Sequence, residues 1–227
     1  MTVDDAGGVE CNNVESADLI CSKAAGLGDN QFSFAVYIAN QPAMSEYQSL
    51  TQLKALQNGE LHAIGQACGN GWRKVFNVYA KLLYALDKND FTFATLVPTW
   101  QQYRDQYLLQ ANSGTALIFS PPILKTSKAV KKLKTSMPEP LKTDRSNISA
   151  IKTLHIICGR TYAKQLINEG KLATELLWLD EEFAVDIQQG VVVCPYFDYR
   201  QLSNIKIQRL SMMLSAIIKG QIIDLNL

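Results

Sequence analysis

The sequence predicts an α/β protein with a three-layer α/β/α arrangement around a mainly parallel, four-stranded central sheet. Short β-branched and aromatic runs, typical of buried strands, alternate with longer segments of helical spacing. Four such runs occur, at residues 32–39, 115–119, 154–158 and 190–194. Right-handed crossovers would bring the ends of all four strands to one edge of the sheet. In open α/β sheets, ligands bind outside that edge.

The segments between these strands differ in how clearly they indicate helices. Residues 72–86 and 202–218 have apolar side chains at helical spacing, and a helix is expected to follow the Gly159-Arg160 turn. We also expect a helix over residues 172–183 and a short strand over residues 91–96.

The domain organisation follows from composition and charge. The first 30 residues hold six acidic side chains against Lys23 alone, which predicts a loose acidic arm before a single α/β domain over residues 31–227. Residues 121–152 hold seven lysines and Arg145 against two acidic residues, together with four prolines. This second segment is expected to be an exposed basic excursion from the sheet.

Cysteine and apolar patterns indicate the compartment. The five cysteines form no close pair, and no apolar run reaches the roughly 20 residues needed to span a bilayer. The N-terminus lacks the basic start and apolar core of a signal peptide. We therefore expect a cytoplasmic protein with free thiols and no membrane partner. Two isolated histidines give no zinc-ligand spacing, so neither a metal nor a cofactor is predicted.

Three short motifs lie at the strand ends in an order that resembles a known family. Ala39-Asn40-Gln41-Pro42-Ala43 comes first, and a strand ending in Gly159-Arg160 follows later. The last strand ends in Cys194-Pro195-Tyr196 and leads into a polar, aromatic loop. This arrangement resembles the uracil-DNA glycosylase superfamily over residues 32–218. In that superfamily the first motif positions the attacking water, and a His-Pro-Ser-type motif precedes a loop that enters the DNA minor groove.

The resemblance implies a uracil-DNA glycosylase-like fold with a nucleobase, nucleotide or nucleic acid as the partner. It assigns the positioning of water to Asn40 and Gln41. The histidine of the family falls on Cys194, and a thiol is a weak hydrogen-bond donor that cannot replace imidazole in stabilising charge. Weak or absent glycosylase activity is therefore expected.

Two sets of side chains are candidates for contacting such a ligand. The ligand-binding set follows the last strand and consists of Cys194, Tyr196, Phe197, Asp198, Arg200 and Asn204. The anion-binding set consists of Gly159, Arg160, Lys131 and Lys132.

Structural alternatives remain open for several candidates. Asp198 and Arg200 are either a ligand clamp or a local ion pair, and the lysines either contact phosphate or are simply solvated. Cys158 and Cys194 are expected to be small buried residues, and His155 a hydrogen-bonded residue of the core.

Three functions remain open from the sequence. The first is a module that binds a nucleobase, nucleotide or nucleic acid with little or no glycosylase activity. The second is an active, divergent DNA glycosylase or hydrolase. The third is a non-catalytic α/β protein that binds a partner. The sequence does not indicate the oligomeric state.

Overall fold

The fold is mixed α/β, and the computed structural model describes residues 24–124, 151 and 153–221. Eight strands of the described chain form one sheet. In chain order the strands are β1 (Gly26–Gly28), β2 (Phe34–Tyr37), β3 (Leu53–Lys54), β4 (Thr115–Ile118), β5 (Leu154–Cys158), β6 (Leu177–Trp178), β7 (Ala184–Asp186) and β8 (Val191–Cys194). Their order across the sheet is β3-β1-β4-β2-β5-β8-β7-β6.

The centre of the sheet confirms the four predicted strands. β4, β2, β5 and β8 are neighbours, and all three pairings among them are parallel. The sheet nevertheless has eight strands where the sequence predicted four. The other four strands are only two or three residues long, which is too short to produce a recognisable pattern. Three of the seven pairings, β1 with β4, β6 with β7 and β7 with β8, are antiparallel.

Helices occupy the connections between the strands. In chain order they are α1 (Ser45–Gln48), α2 (Glu60–Ala67), α3 (Asn70–Ala85), α4 (Trp100–Gln106), α5 (Arg160–Asn168) and α6 (Asn204–Ile218). α3, α5 and α6 confirm the helices expected from the spacing of apolar residues. None of the helices in the described ranges combines the length and apolar character that crossing a membrane requires.

Hydrophobic clusters on both faces of the sheet give the molecule its layers. Phe34 and Val36 of β2 belong to the larger cluster, which also holds the buried side chains of α3, α4 and α6. The alternate residues Ala35 and Tyr37 belong to a smaller cluster, with Ala163 and Leu166 of α5. Because successive side chains of a strand point to opposite faces, helices cover the sheet from both sides.

The expected helix over residues 172–183 is wrong, because β6 and the turn of its hairpin with β7 lie there. Asp180 Oδ1 accepts the backbone N–H groups of Glu182 and Phe183, at 2.7 and 2.8 Å. This side chain closes the turn, and β7 then pairs with β8. The hydrogen bonds of the Asp180 turn and the pairing of β7 with β8 therefore determine the structure here, although the apolar residues have helical spacing.

The expected strand over residues 91–96 is also wrong. The segment contains a 3₁₀ turn, Phe93–Thr95, and pairs with none of the strands that the structure describes. Its aromatic rings pack instead: Phe91 and Phe93 both contact Phe34 edge-on, with ring centroids 6.5 and 6.0 Å apart. Aromatic residues favour strands, but here they fill the larger core.

Two predicted segments lie largely outside the described residues. These are residues 1–23 of the acidic arm and residues 125–150 of the basic excursion. The last residues of the predicted arm belong to the sheet, because β1 begins at Gly26. A Cβ on Gly26 would stand 2.3 Å from the carbonyl oxygen of Leu117. Only glycine lets β1 approach β4 this closely.

Candidate functional site

The candidate site lies at the carboxyl edge of the central strands. From β2 the chain adds β4 on one side, and then β5 and β8 on the other, so the direction of winding reverses between β2 and β5. Ligands of doubly wound sheets bind at this switch point. The turn with Asn40 follows β2, Gly159-Arg160 follows β5, and the loop at 195–200 follows β8. The prediction that the Asn40 turn and this loop share an edge is confirmed.

One contact joins the turn after β2 to the loop after β8. Asn40 Nδ2 donates a hydrogen bond to Tyr196 Oη at 3.5 Å. Asn40 and Gln41 are exposed, whereas Pro42 is buried and holds the turn against the protein. Tyr196 is half-buried, and this burial raises the pKa of its phenol. The structure therefore brings together two predicted site residues that are 156 positions apart.

Asp198 forms an ion pair with a residue that the sequence did not indicate. Its Oδ2 lies 2.8 Å from Lys74 Nζ on α3, and its Oδ1 accepts the backbone N–H of Arg200 at 2.9 Å. The hydrogen bond from Lys74, followed by that from Arg200, lowers the pKa of Asp198. Lys74 Nζ is also 5.0 Å from the ring centroid of Tyr199. The side-chain ion pair of Asp198 is therefore with Lys74, and Arg200 contacts Asp198 through its backbone N–H.

No local feature of the sequence pointed to Lys74. Lys74 lies on an amphipathic helix between the buried residues Trp72 and Val75, and a lysine at such a position is ordinarily a solvated surface residue. Of the remaining candidates in this loop, Arg200 is exposed, and Asn204 is the exposed first residue of α6.

Two predicted ligand-binding residues lie in the core. Cys194 and Phe197 are fully buried, and the Phe197 ring meets Tyr79 edge-on at 5.8 Å. Cys194 stands opposite Cys158 across β5 and β8. Burial, followed by the Cys194 thiol, raises the pKa of Cys158. The expectation that both cysteines are small buried residues is confirmed, and neither Cys194 nor Phe197 presents surface to a ligand.

Arg160 borders a groove on the outer side of α5. Its Nη1 lies 3.1 Å from Glu181 Oε2, and its guanidinium carbon is 5.7 Å from the ring centroid of Trp178. Lys164 Nζ is 5.6 Å from the same ring. The groove has a volume of about 390 Å³ and is lined by Arg160, Lys164, Trp178, Asp180 and Glu181.

Gly159 and the two candidate lysines complete the predicted anion-binding set. Gly159 precedes α5 with a φ of 99°, a conformation that favours glycine, and donates its N–H to the carbonyl oxygen of Cys194 at 2.8 Å. Lys131 and Lys132 lie outside the described residues.

The turn between β6 and β7 (residues 179–183, the acidic turn) is held by three ion pairs. Glu181 pairs with Arg160 of α5, while Asp180 and Glu182 pair with Arg209 and Lys206 of α6. Sequence reasoning missed this arrangement because a helix over residues 172–183 would leave these carboxylates on its solvated side.

Comparison with known proteins identifies the family but not its activity. Residues 25–215 match the model of a family of unknown function, DUF6942. The chain belongs to this family. No curated protein and no solved structure matches it. The likeness to uracil-DNA glycosylases therefore depends on the short motifs alone.

The histidines and acidic residues define what chemistry this DUF6942 chain offers. Within the described ranges, no three histidine, cysteine, aspartate or glutamate side chains are grouped to hold a metal ion. His155 lies in the core as expected and is hydrogen-bonded there, since its Nδ1 lies 2.8 Å from Tyr37 Oη.

The carboxyl edge of the sheet presents an amide, a phenol, aromatic rings and paired charges to solvent. These groups suit recognition of a polar, planar or anionic ligand.

Proposed function

We propose that this DUF6942 chain binds a nucleobase or nucleotide at the carboxyl edge of β2, β5 and β8, without efficient cleavage of the glycosidic bond. The observation that supports this most is the contact between Asn40 and Tyr196 at the switch point of the sheet. A primary amide both donates and accepts hydrogen bonds, as the edge of a base does. The half-buried phenol ring offers a surface on which a base stacks.

Inefficient cleavage is the expected result of the groups around this edge. Departure of a base needs a donor that stabilises its negative charge, and loss of one such donor costs roughly a hundredfold to a thousandfold in rate. Cys194, at the position that resembles the family histidine, is a buried thiol. Two cations after β8 could replace the missing donor. Lys206 is 2.6 Å from Glu182 and so is already paired, whereas Arg200 is exposed to solvent.

Binding is tested by calorimetric titration with uracil, nucleosides and nucleotides. We expect Asn40→Ala to weaken binding about tenfold, because a hydrogen bond to a polar edge is lost. Tyr196→Phe, which keeps the ring, should cost less than Tyr196→Ala. Gln101→Ala removes an exposed amide on α4 and serves as the matched control. Equal affinity in all four variants would rule out this site.

Catalysis is tested in a single-turnover excision assay on uracil-containing single- and double-stranded DNA. We expect little or no excision. Robust excision that Asn40→Ala abolishes would instead support the alternative of an active, divergent glycosylase.

One observation favours the second candidate, a protein that binds a partner. α6 exposes Ile205 (83%) and Met212 (45%), which lie two turns apart on one face, while Lys206 and Arg209 are paired with the acidic turn. Self-association through this face would appear in sedimentation velocity as a concentration-dependent dimer that Ile205→Glu abolishes. If the protein is a monomer at all concentrations, another molecule of the same chain is excluded as the partner.

A further inference from the structure

We propose that the groove beside Trp178 is a phosphate-binding site in which the Glu181 carboxylate competes with the ligand for Arg160. The inference rests on the proposed function and makes it more specific, because it names a phosphorylated ligand rather than a free base. The groove adjoins the carboxyl edge, since Arg160 follows directly on Gly159 at the end of β5.

The first argument is the placement of two cations around one aromatic ring. Arg160 and Lys164 are one turn apart on α5, and both head groups lie within 6 Å of the Trp178 centroid. Attraction to the ring face keeps both side chains beside the groove. Lys164 has no carboxylate within ion-pairing distance among the residues described. Arginine offers a planar fork and lysine a point charge, which together suit a phosphate group.

The second argument is that Glu181 is free to leave. Its side chain is 90% exposed, and such solvated ion pairs contribute little to stability. The residues on either side, Asp180 and Glu182, hold the acidic turn to α6 through Arg209 and Lys206. Glu181 can therefore release Arg160 while the turn stays in place. A phosphate monoester, which has more than one negative charge at pH 7, should displace a single carboxylate.

A second tryptophan in the chain provides a matched control. Trp100 also has two cations near its ring, Lys81 at 5.1 Å and Arg104 at 5.7 Å. The fork of Arg104, however, donates to both carboxylate oxygens of Asp105, at 2.7 and 2.9 Å, and to Asn77 at 2.6 Å. Its donors are occupied, so no phosphate is expected to bind there.

The experiment measures the affinity of the full chain for inorganic phosphate and pyrophosphate by calorimetry. We expect Arg160→Gln and Lys164→Gln each to weaken binding about tenfold or more, because each removes a charged donor. Glu181→Gln should strengthen binding about two- to fivefold, the value of one solvated ion pair. Arg104→Gln is the control for the two cations. Glu175→Gln, which removes an exposed carboxylate that does not line the groove, is the control for Glu181→Gln, and neither control should change the affinity.

The change in Glu181→Gln decides the proposal, because a misfolded or destabilised variant would not bind more tightly. Unchanged or weaker binding in Glu181→Gln, or unchanged binding in Arg160→Gln, would overturn it. Adenosine and adenosine monophosphate separate this inference from the proposed function. If the affinities for phosphate change as expected in the variants and adenosine fails to bind, the phosphate-binding groove is supported and nucleobase recognition is ruled out. If Asn40→Ala weakens the binding of adenosine and Arg160→Gln leaves the affinity for phosphate unchanged, the phosphate-binding groove is ruled out and the proposed function is not.

Discussion

Tyr37 and His155 form a buried polar pair between the two central strands. The phenol and Nδ1 are 2.8 Å apart, and the rings stack with centroids 5.7 Å apart. Both side chains lie on the face covered by the smaller cluster. Burial lowers the pKa of His155 from 6.5 to about 4, so the imidazole is neutral in the folded protein at pH 7.

This pair predicts a dependence of stability on pH. Between pH 6.5 and about 4 the unfolded chain binds a proton at His155 and the folded chain does not, so the free energy of unfolding falls as the pH falls. The contribution of His155 to this fall is about 3 kcal/mol. The His155→Gln variant lacks the titrating imidazole, so this contribution to the pH dependence of its unfolding free energy is absent. Urea unfolding of both proteins at pH 7 and pH 4.5 measures it, and parallel losses in the two would contradict the assignment.

Asp198 has two partners that substitutions can separate. Asp198→Asn keeps an oxygen for the Arg200 N–H and removes the charge that faces Lys74, whereas Asp198→Ala removes both. We expect the alanine variant to lose about 1 kcal/mol of unfolding free energy and the asparagine variant clearly less. Chemical denaturation at pH 7 gives both values. An equal loss in the two variants would show that the ion pair with Lys74, and not the turn, dominates.

Individual elements show why some expectations from the sequence hold and others fail. The strand over 190–194 was predictable because four buried apolar residues follow Gly190 and a proline ends the run. The hairpin of β6 and β7 was not. Leu172, Leu179 and Phe183 have helical spacing, while the Asp180 turn and the pairing with β8 depend on contacts that spacing does not encode. For the same reason, the positions of Asn40 and Tyr196 at the ends of β2 and β8 could be predicted, but the contact of Asp198 with Lys74 of α3 could not.

The edge element β1 depends on glycine at a defined position. A Cβ on Gly26 would meet the Leu117 carbonyl oxygen at 2.3 Å and the Ile118 Cα at 2.9 Å, and neither backbone atom can move aside. We expect Gly26→Ala to destabilise the protein by about 1–3 kcal/mol, the range typical of overpacked sites. Thermal unfolding provides the measurement.

Gly71 provides the matched control for Gly26. It lies in the first turn of α3, and a Cβ there would meet nothing within 4 Å. Gly71→Ala should therefore leave stability unchanged or raise it by up to about 1 kcal/mol. A loss in Gly71→Ala as large as that in Gly26→Ala would show that the steric contact with β4 is not the cause.

Across the whole molecule, protection of the backbone should decrease from the centre of the sheet outward. β2 and β5 each have parallel neighbours on both sides and lie between two hydrophobic clusters. β3 and β6 are two-residue strands at the two edges. Hydrogen–deuterium exchange should therefore be slowest in β2 and β5 and fastest in β3 and β6. Faster exchange in β5 than in β6 would contradict this order.

The strand order also governs when the protein can fold during its synthesis. The two central strands meet through residues 118 positions apart, Tyr37 and His155. While the ribosome is still making the middle of the chain, β2 has β4 on one side and no neighbour on the other. Pairings this distant in sequence form slowly, and unpaired strand edges invite aggregation. A nascent chain that has not reached residue 158 must therefore keep one edge of its central strand open, and the central pairing of the sheet can form only after β5 has been made.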